Sequence, residues 1–152
     1  MNSEFMKEAL NQATIAYKEG EVPVGAVIVK DGKILASKCH DDVEGTTFYR
    51  CLGGGIEFLE KSEETLSREL MEEIGAKITI GEFLGISENI FTFNGKTGHE
   101  LIVLRSASID DDYYKDIYYM DGDKEHIVTW VDVELVKKQE VLFYPVEVLK
   151  YI

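Results

Sequence analysis

The stretch Gly53 to Ala76, GGGIEFLEKSEETLSRELMEEIGA, decides how this chain is read. It opens on glycines, passes through an acidic turn and becomes helical. Ser62 is an expected N-cap, and Glu63 and Glu64 place negative charge on the positive end of the helix dipole. Leu66, Leu70 and Ile74 recur at i, i+4 and i+8, one apolar stripe for a core, and Gly75 is a helix stop. Glu69, Glu72 and Glu73 stand at i, i+3 and i+4 and share a patch of helix surface. Like charges at that spacing oppose the helix by about 0.2–0.5 kcal/mol per pair. A divalent cation would turn the repulsion into attraction, and hard cations such as magnesium take carboxylate oxygens. A solvated acidic face is the plain alternative in a chain this acidic.

The order of residues favours the cation. Gly54, five residues, Glu60, seven residues, then Arg68-Glu69-Leu70-Met71-Glu72-Glu73-Ile74-Gly75 resembles the signature box of the Nudix hydrolases at every charged and glycine position. Leu59 stands where a glycine is frequent, and Ala76 is smaller than the usual closing aliphatic residue; neither supplies a ligand. The resemblance implies an α/β (α+β) fold: a Nudix-type α/β/α sandwich, with a mixed sheet and the box helix. It also implies metal-dependent attack of water on phosphorus in a diphosphate linked to another group, often a nucleoside diphosphate derivative. Glu72 and Glu73 are then direct ligands to Mg2+ or Mn2+, and Glu69 is a ligand or the base. Arg68 holds Glu69 through an ion pair, and Gly53 lends a backbone carbonyl to the metal. Glu57 is a further ligand or supporting group, while Gly54, Glu60 and Gly75 are structural. A nucleotide-binding module that does not cleave is the alternative in the same fold.

Composition agrees with a soluble globular protein. The 152 residues are 45% hydrophobic and 30% charged, which reads as one globular domain. A formal charge of −13 disfavours nucleic acid or an anionic membrane as the main partner and suits recruitment of cations. The expected partner is a small nucleotide-type substrate, with a homodimer possible. Cys39 and Cys51, without CxxC spacing, read as reduced thiols of a cytoplasmic protein. Neither a signal-peptide core nor a membrane span is evident.

Residues 4–18 read as a helix with Phe5, Met6, Ala9, Leu10, Ala13 and Tyr17 on one face, an annex over residues 1–20. Val22 to Val29, the Asp31-Gly32 turn and Lys33 to Ala36 read as a hairpin within the catalytic sheet. The segment Phe5 to Ala36, notably GEVPVGAVIVKDGKI, also resembles the N-terminal helix and hairpin of tRNA adenosine deaminases. Those enzymes hold zinc through H-x-E and P-C-x-x-C. Neither motif occurs here, so a deaminase-related chimera is the weaker alternative.

Onward, Lys38 to Gly45 reads as a polar loop and Thr46 to Leu52 as a strand. Lys77 to Ile80 reads as a strand, followed by a long hairpin, Phe83 to Phe93 and Glu100 to Ser108, around Asn94 to Gly98. Residues 109–125 read as an acidic, tyrosine-rich loop. Ile127 to Val131 is the expected last strand, Asp132 caps a short helix, and Pro145 starts a C-terminal helix. Asp121, Asp123 and Glu125 are candidates for a base remote from the box, with a solvated acidic loop the default reading. Phe91, Phe93, Tyr118, Tyr119 and Trp130 are candidates for base stacking, with core packing the default for each. His99 receives no role. The region Asn89-Ile90-Phe91-Thr92-Phe93 carries neither proline nor tyrosine, the markers of family subgroups, and leaves the substrate open.

Overall fold

A computed structural model describes residues 6–7, 22–110 and 116–152. The expected helix over 4–18 lies outside the described residues, apart from Met6 and Lys7, and so does the middle of the tyrosine-rich segment.

Strand β1 (Pro23–Val27) is the hub of the first sheet. It pairs antiparallel with the glycine strand β5 (Leu52–Gly55) and parallel with β7 (Lys96–Ile109), which pairs in turn with β6 (Ile78–Phe93). The expected break between Ile80 and Phe83 is a bulge inside one strand: the Ser106 hydroxyl accepts from the Glu82 N–H at 2.8 Å, supplying the bond the ladder loses there. The tip is a two-residue turn at Asn94 and Gly95, both at positive φ, tighter than the loop expected over 94–98.

The Asp31-Gly32 turn forms as expected, but its return strand leaves the first sheet. After the short β2 (Val29–Lys30), β3 (Lys33–Asp41) lies between β4 (Thr46–Arg50) and β9 (Lys124–Asp132) in a second sheet, completed by β8 (Ile117–Asp121) and β10 (Phe143–Tyr144). The hairpin therefore bridges two sheets. Two expected loops are partly strand. Lys38 to Asp41 extends β3, paired with β4, and Ile117 to Asp121 pairs with β9, because Ile117, Tyr119 and Val128 give that ladder an apolar side against the core.

Helix α1 (Ser62–Ile74) covers one side. Leu66 and Leu70 are wholly buried with Val24, Ala26, Leu35 and Val128, and Ile74 packs at the margin. Gly75 closes the helix in the left-handed region. On the other side, α2 (Val133–Lys137) and a 3₁₀ turn (Val146–Lys150) bury Val133, Val136 and Val148 against Ile34, Ile102 and Leu104. Asp132 caps α2 as expected, accepting from the Glu134 N–H at 2.8 Å. The segment after Pro145 is that single 3₁₀ turn, shorter than the expected helix. Helices thus flank mixed sheets on both sides. Among the described residues no helix is long and apolar enough to cross a membrane.

Candidate active site

The glycine strand and α1 meet at one contact. A Cβ on Gly54 would lie 2.3 Å from the Glu69 carboxyl carbon, so only a glycine lets that carboxylate rest on the strand. Gly53 is fixed for another reason: its φ is +154°, and a Cβ there would fall 1.8 Å from the Val24 carbonyl oxygen.

Arg68 gathers the acidic side chains. Its Nε and Nη2 donate to the two oxygens of Glu60 at 2.8 and 2.9 Å, a bidentate pair. Nη1 donates to Glu69 Oε1 at 2.8 Å and, more weakly, to Glu72 Oε2 at 3.4 Å, while Nη2 reaches the Gly55 carbonyl at 3.3 Å. Glu57 is at the periphery, 3.8 Å from Nη2. Glu60 also accepts from the Thr65 hydroxyl at 2.5 Å. These bonds, the guanidinium first, hold its carboxyl down to about 2 and raise the Arg68 pKa.

The helix entry departs by one residue from expectation. Lys61 is the N-cap, and its backbone N–H donates to Glu64 Oε2 at 2.8 Å. The Ser62 hydroxyl instead accepts from Arg105 Nε at 2.8 Å, and Arg105 pairs with Glu63 at 3.1 Å. This strand-to-helix clamp was hidden in the sequence, because β7 lies some forty residues further along the chain.

The donor set suits a hard divalent cation in kind. Glu69 and Glu72 each give one oxygen to Arg68; among the described residues Glu69 Oε2 and Glu72 Oε1 accept no hydrogen bond. Glu73 is half-buried on the next position of the same helix. Among the described residues, no three His, Cys, Asp or Glu side chains are already drawn into metal-holding geometry. Carboxylate oxygens and the Gly54 cradle are what the structure offers such an ion.

Beside this cluster lies a cleft of about 860 Å³ between the two sheets. Gly53 lines it, while Gly54 underlies Glu69, so the single strand β5 serves both cleft and acidic cluster. Phe91, Phe93, Glu125 and His126 line it too, together with Phe48, Arg50, Asn89, Glu100 and Tyr144.

The family model for the NUDIX domain matches residues 21–150. The chain belongs to the NUDIX family. A NUDIX hydrolase from Nitrosomonas europaea shares the fold with a TM-score of 0.59 at 21% identity, over 86% of this chain and 84% of that one. The CTP pyrophosphohydrolase of Escherichia coli is 36% identical over 61 residues, 40% of this chain and 45% of that protein. The tRNA-specific adenosine deaminase of Aquifex aeolicus is 58% identical over 40 residues, 26% of either chain. The chain thus spans less than half the length of the curated relatives it matches, and the deaminase likeness is confined to a short segment.

Within the NUDIX fold the other candidates separate. Asp123 and Glu125 sit at the exposed β8–β9 turn, and of the two only Glu125 borders the cleft. Asp121 ends β8. Tyr119 stacks on His126 with ring centroids 4.9 Å apart, Trp130 packs into the core, and Tyr118 is exposed. His99 pairs with Glu88 at 2.8 Å on the exposed face of the β6–β7 hairpin. Sequence reasoning missed Asp41. Its carboxylate is buried in the turn after β3, accepting from the Val43 and Glu44 N–H groups and, across to the other sheet, from Asn94 N at 3.2 Å. Those backbone donors, Glu44's foremost, lower its pKa. Asp41 therefore ties the hairpin tip to the second sheet at the cleft wall.

Proposed function

We propose that this chain hydrolyses a diphosphate linkage in a nucleoside diphosphate derivative, with water attacking phosphorus and Mg2+ or Mn2+ required. The observation that carries this reading is the Glu69 carboxylate, laid on Gly54 and pinned by Arg68 one residue from the Gly53 wall of the cleft. A bound divalent ion would neutralise the diphosphate and lower the pKa of a water.

The chain's own residues supply the rest. Glu69, Glu72 and Glu73 hold the ion, with Glu57 and the Gly53 carbonyl as further oxygens. Arg68 fixes Glu69 and prevents the packed carboxylates from splaying apart by their own repulsion. Glu60 anchors Arg68 and remains ionised throughout the neutral range, since its carboxyl is held near 2. Glu69 Oε2, which has no donor among the described residues, is open either to ligate or to take the proton of the attacking water. The cleft receives the nucleoside. The similarity to a CTP pyrophosphohydrolase supports a nucleotide substrate.

The test is a screen of nucleoside triphosphates, nucleoside diphosphate sugars and dinucleoside polyphosphates with magnesium or manganese, run in ¹⁸O-water. The reading predicts ¹⁸O in one phosphate-bearing product. It is lost if purified, folded protein turns over none of these or leaves the label out of phosphate.

A further inference from the structure

One polar pair of side chains stands in the wall of the cleft. Asn89 on β6 and Glu100 on β7 are direct cross-strand partners, and both are half-buried in the cleft wall. Asn89 Nδ2 donates to Glu100 Oε1 at 3.2 Å. An ionised carboxylate only accepts, so the amide must turn its nitrogen to Glu100. Among the described residues three hydrogen-bonding functions are then left over: the second Glu100 oxygen, the second Asn89 N–H, and the Asn89 carbonyl. Glu100 has no ion pair among the described residues, although Lys38, Arg50 and Lys124 also line the cleft. No buried side-chain polar atom among the described residues lacks a partner, so the second Glu100 oxygen is open to the cleft and within reach of a ligand donor.

The neighbouring surface suits a flat ring. Gly25, Cys51 and Ile102 line the cleft as well and give it an apolar stretch of wall. Phe48 meets Phe93 and Tyr144 edge to face, each at 5.7 Å, forming an aromatic border.

We propose that Asn89 and Glu100 select a base carrying an exocyclic amino group beside a ring-nitrogen acceptor, cytosine or adenine, over a base with a carbonyl in that place. The inference rests on the reading of the cleft as the nucleoside site. The amino group donates to the free Glu100 oxygen, and the ring nitrogen accepts from the second Asn89 N–H. Uracil or hypoxanthine would set its carbonyl oxygen against the Glu100 carboxylate and its ring N–H against the Asn89 N–H. Both contacts would be repulsive, and unpaired groups in such a site discriminate strongly.

Calorimetric titration of the full chain with nucleoside monophosphates, in chelator, tests the inference apart from hydrolysis. CMP against UMP and AMP against IMP each exchange an amino group for a carbonyl. The expected result is that the amino partner binds at least about tenfold tighter in one pair or both. Glu100→Gln, whose amide can face either way, should bring that ratio to within about twofold. The inference is overturned by equal affinities within both pairs, by no detectable binding of any of the four at millimolar concentration, or by a preference that survives in Glu100→Gln. If that variant does not fold, the wild-type ratios decide alone. Hydrolysis without base preference would sink this inference and leave the proposed reaction standing; base preference without hydrolysis would do the reverse.

Discussion

Gly53 and Gly54 are neighbours with different reasons for being glycine, and the difference can be measured. At Gly53 the obstruction is backbone, the Val24 carbonyl, and φ is positive, so Gly53→Ala should destabilise the fold by several kcal/mol in urea melts, more than the ~1–3 kcal/mol of ordinary backbone strain. At Gly54 the obstruction is the far end of Glu69, a side chain that can swing away. Gly54→Ala should therefore remain folded, with a melting temperature within a few degrees of wild type, yet lose roughly 10²-fold in turnover, the scale of a ~1 Å misplacement. Equal stability losses in the two variants would refute the distinction. Glu60 makes a separate prediction about pH. Its carboxyl is held at about 2 in the folded chain against 4.5 ordinarily, so the unfolded chain binds more protons between those values. The resulting stability is complete above the ordinary value and drains away as pH falls toward 2. Melting temperatures followed from pH 6 to pH 2 should fall less steeply for Glu60→Gln than for wild type. Parallel slopes would mean that the Arg68 pair contributes nothing to acid sensitivity.

Helix α1 was legible because its instructions are local: the Leu66–Leu70 stripe, the acidic first turn and Gly75 all lie within two dozen residues. The hairpin was half legible. The turn at Asp31-Gly32 announces two strands, but β3 joins the second sheet because Ile34 to Lys38 pair with Ile127 to Val131, almost a hundred residues away, and no short-range pattern encodes such a partner. Ile117 to Asp121 was hidden for a similar reason, since its acidic, tyrosine-rich composition masks one apolar side that only β9 and the core reveal. At the site, the box carboxylates were visible as spacing, whereas Asp41 and Arg105 act through contacts roughly forty to fifty residues away along the chain, and Asn89 and Glu100 meet only through the register of the β6–β7 hairpin. Strand β1 carries the clearest prediction at this scale. It lies between β5 and β7 and buries Val24, Ala26 and Val27. Deleting residues 1–20 should leave metal-dependent hydrolysis measurable while lowering stability or changing the oligomeric state. Deleting residues 1–36 should abolish folding, read as loss of a cooperative circular-dichroism melt, because the first sheet loses its hub. A folded, active product of the longer deletion would contradict the topology; loss of the acidic site in the shorter one would show that the first twenty residues are no annex.

Taken whole, the molecule is an acidic body of net charge −13 in which Arg68 is the organising cation of a carboxylate cluster set beside a cleft between two sheets. Such a body should draw divalent cations and gain stability from them. A ligand that binds only the folded state adds about 2.7 kcal/mol at a hundred times its dissociation constant. Melting should therefore shift upward with millimolar magnesium or manganese in wild type, and much less in Glu72→Gln/Glu73→Gln, which loses two negative charges with little change of shape. Equal shifts in both proteins would assign the effect to the general acidity of the surface. The central claim is that Glu69, Glu72 and Glu73 hold the ion that makes diphosphate hydrolysis possible, and its most direct test is the rate of product release from the best nucleotide substrate with magnesium and with chelator, in wild type and in the double variant. The account predicts a wild-type rate abolished by chelator and restored by magnesium, and a loss of at least about 10²-fold in the double variant at saturating magnesium. Full activity in the double variant, or wild-type turnover indifferent to chelator, would contradict it.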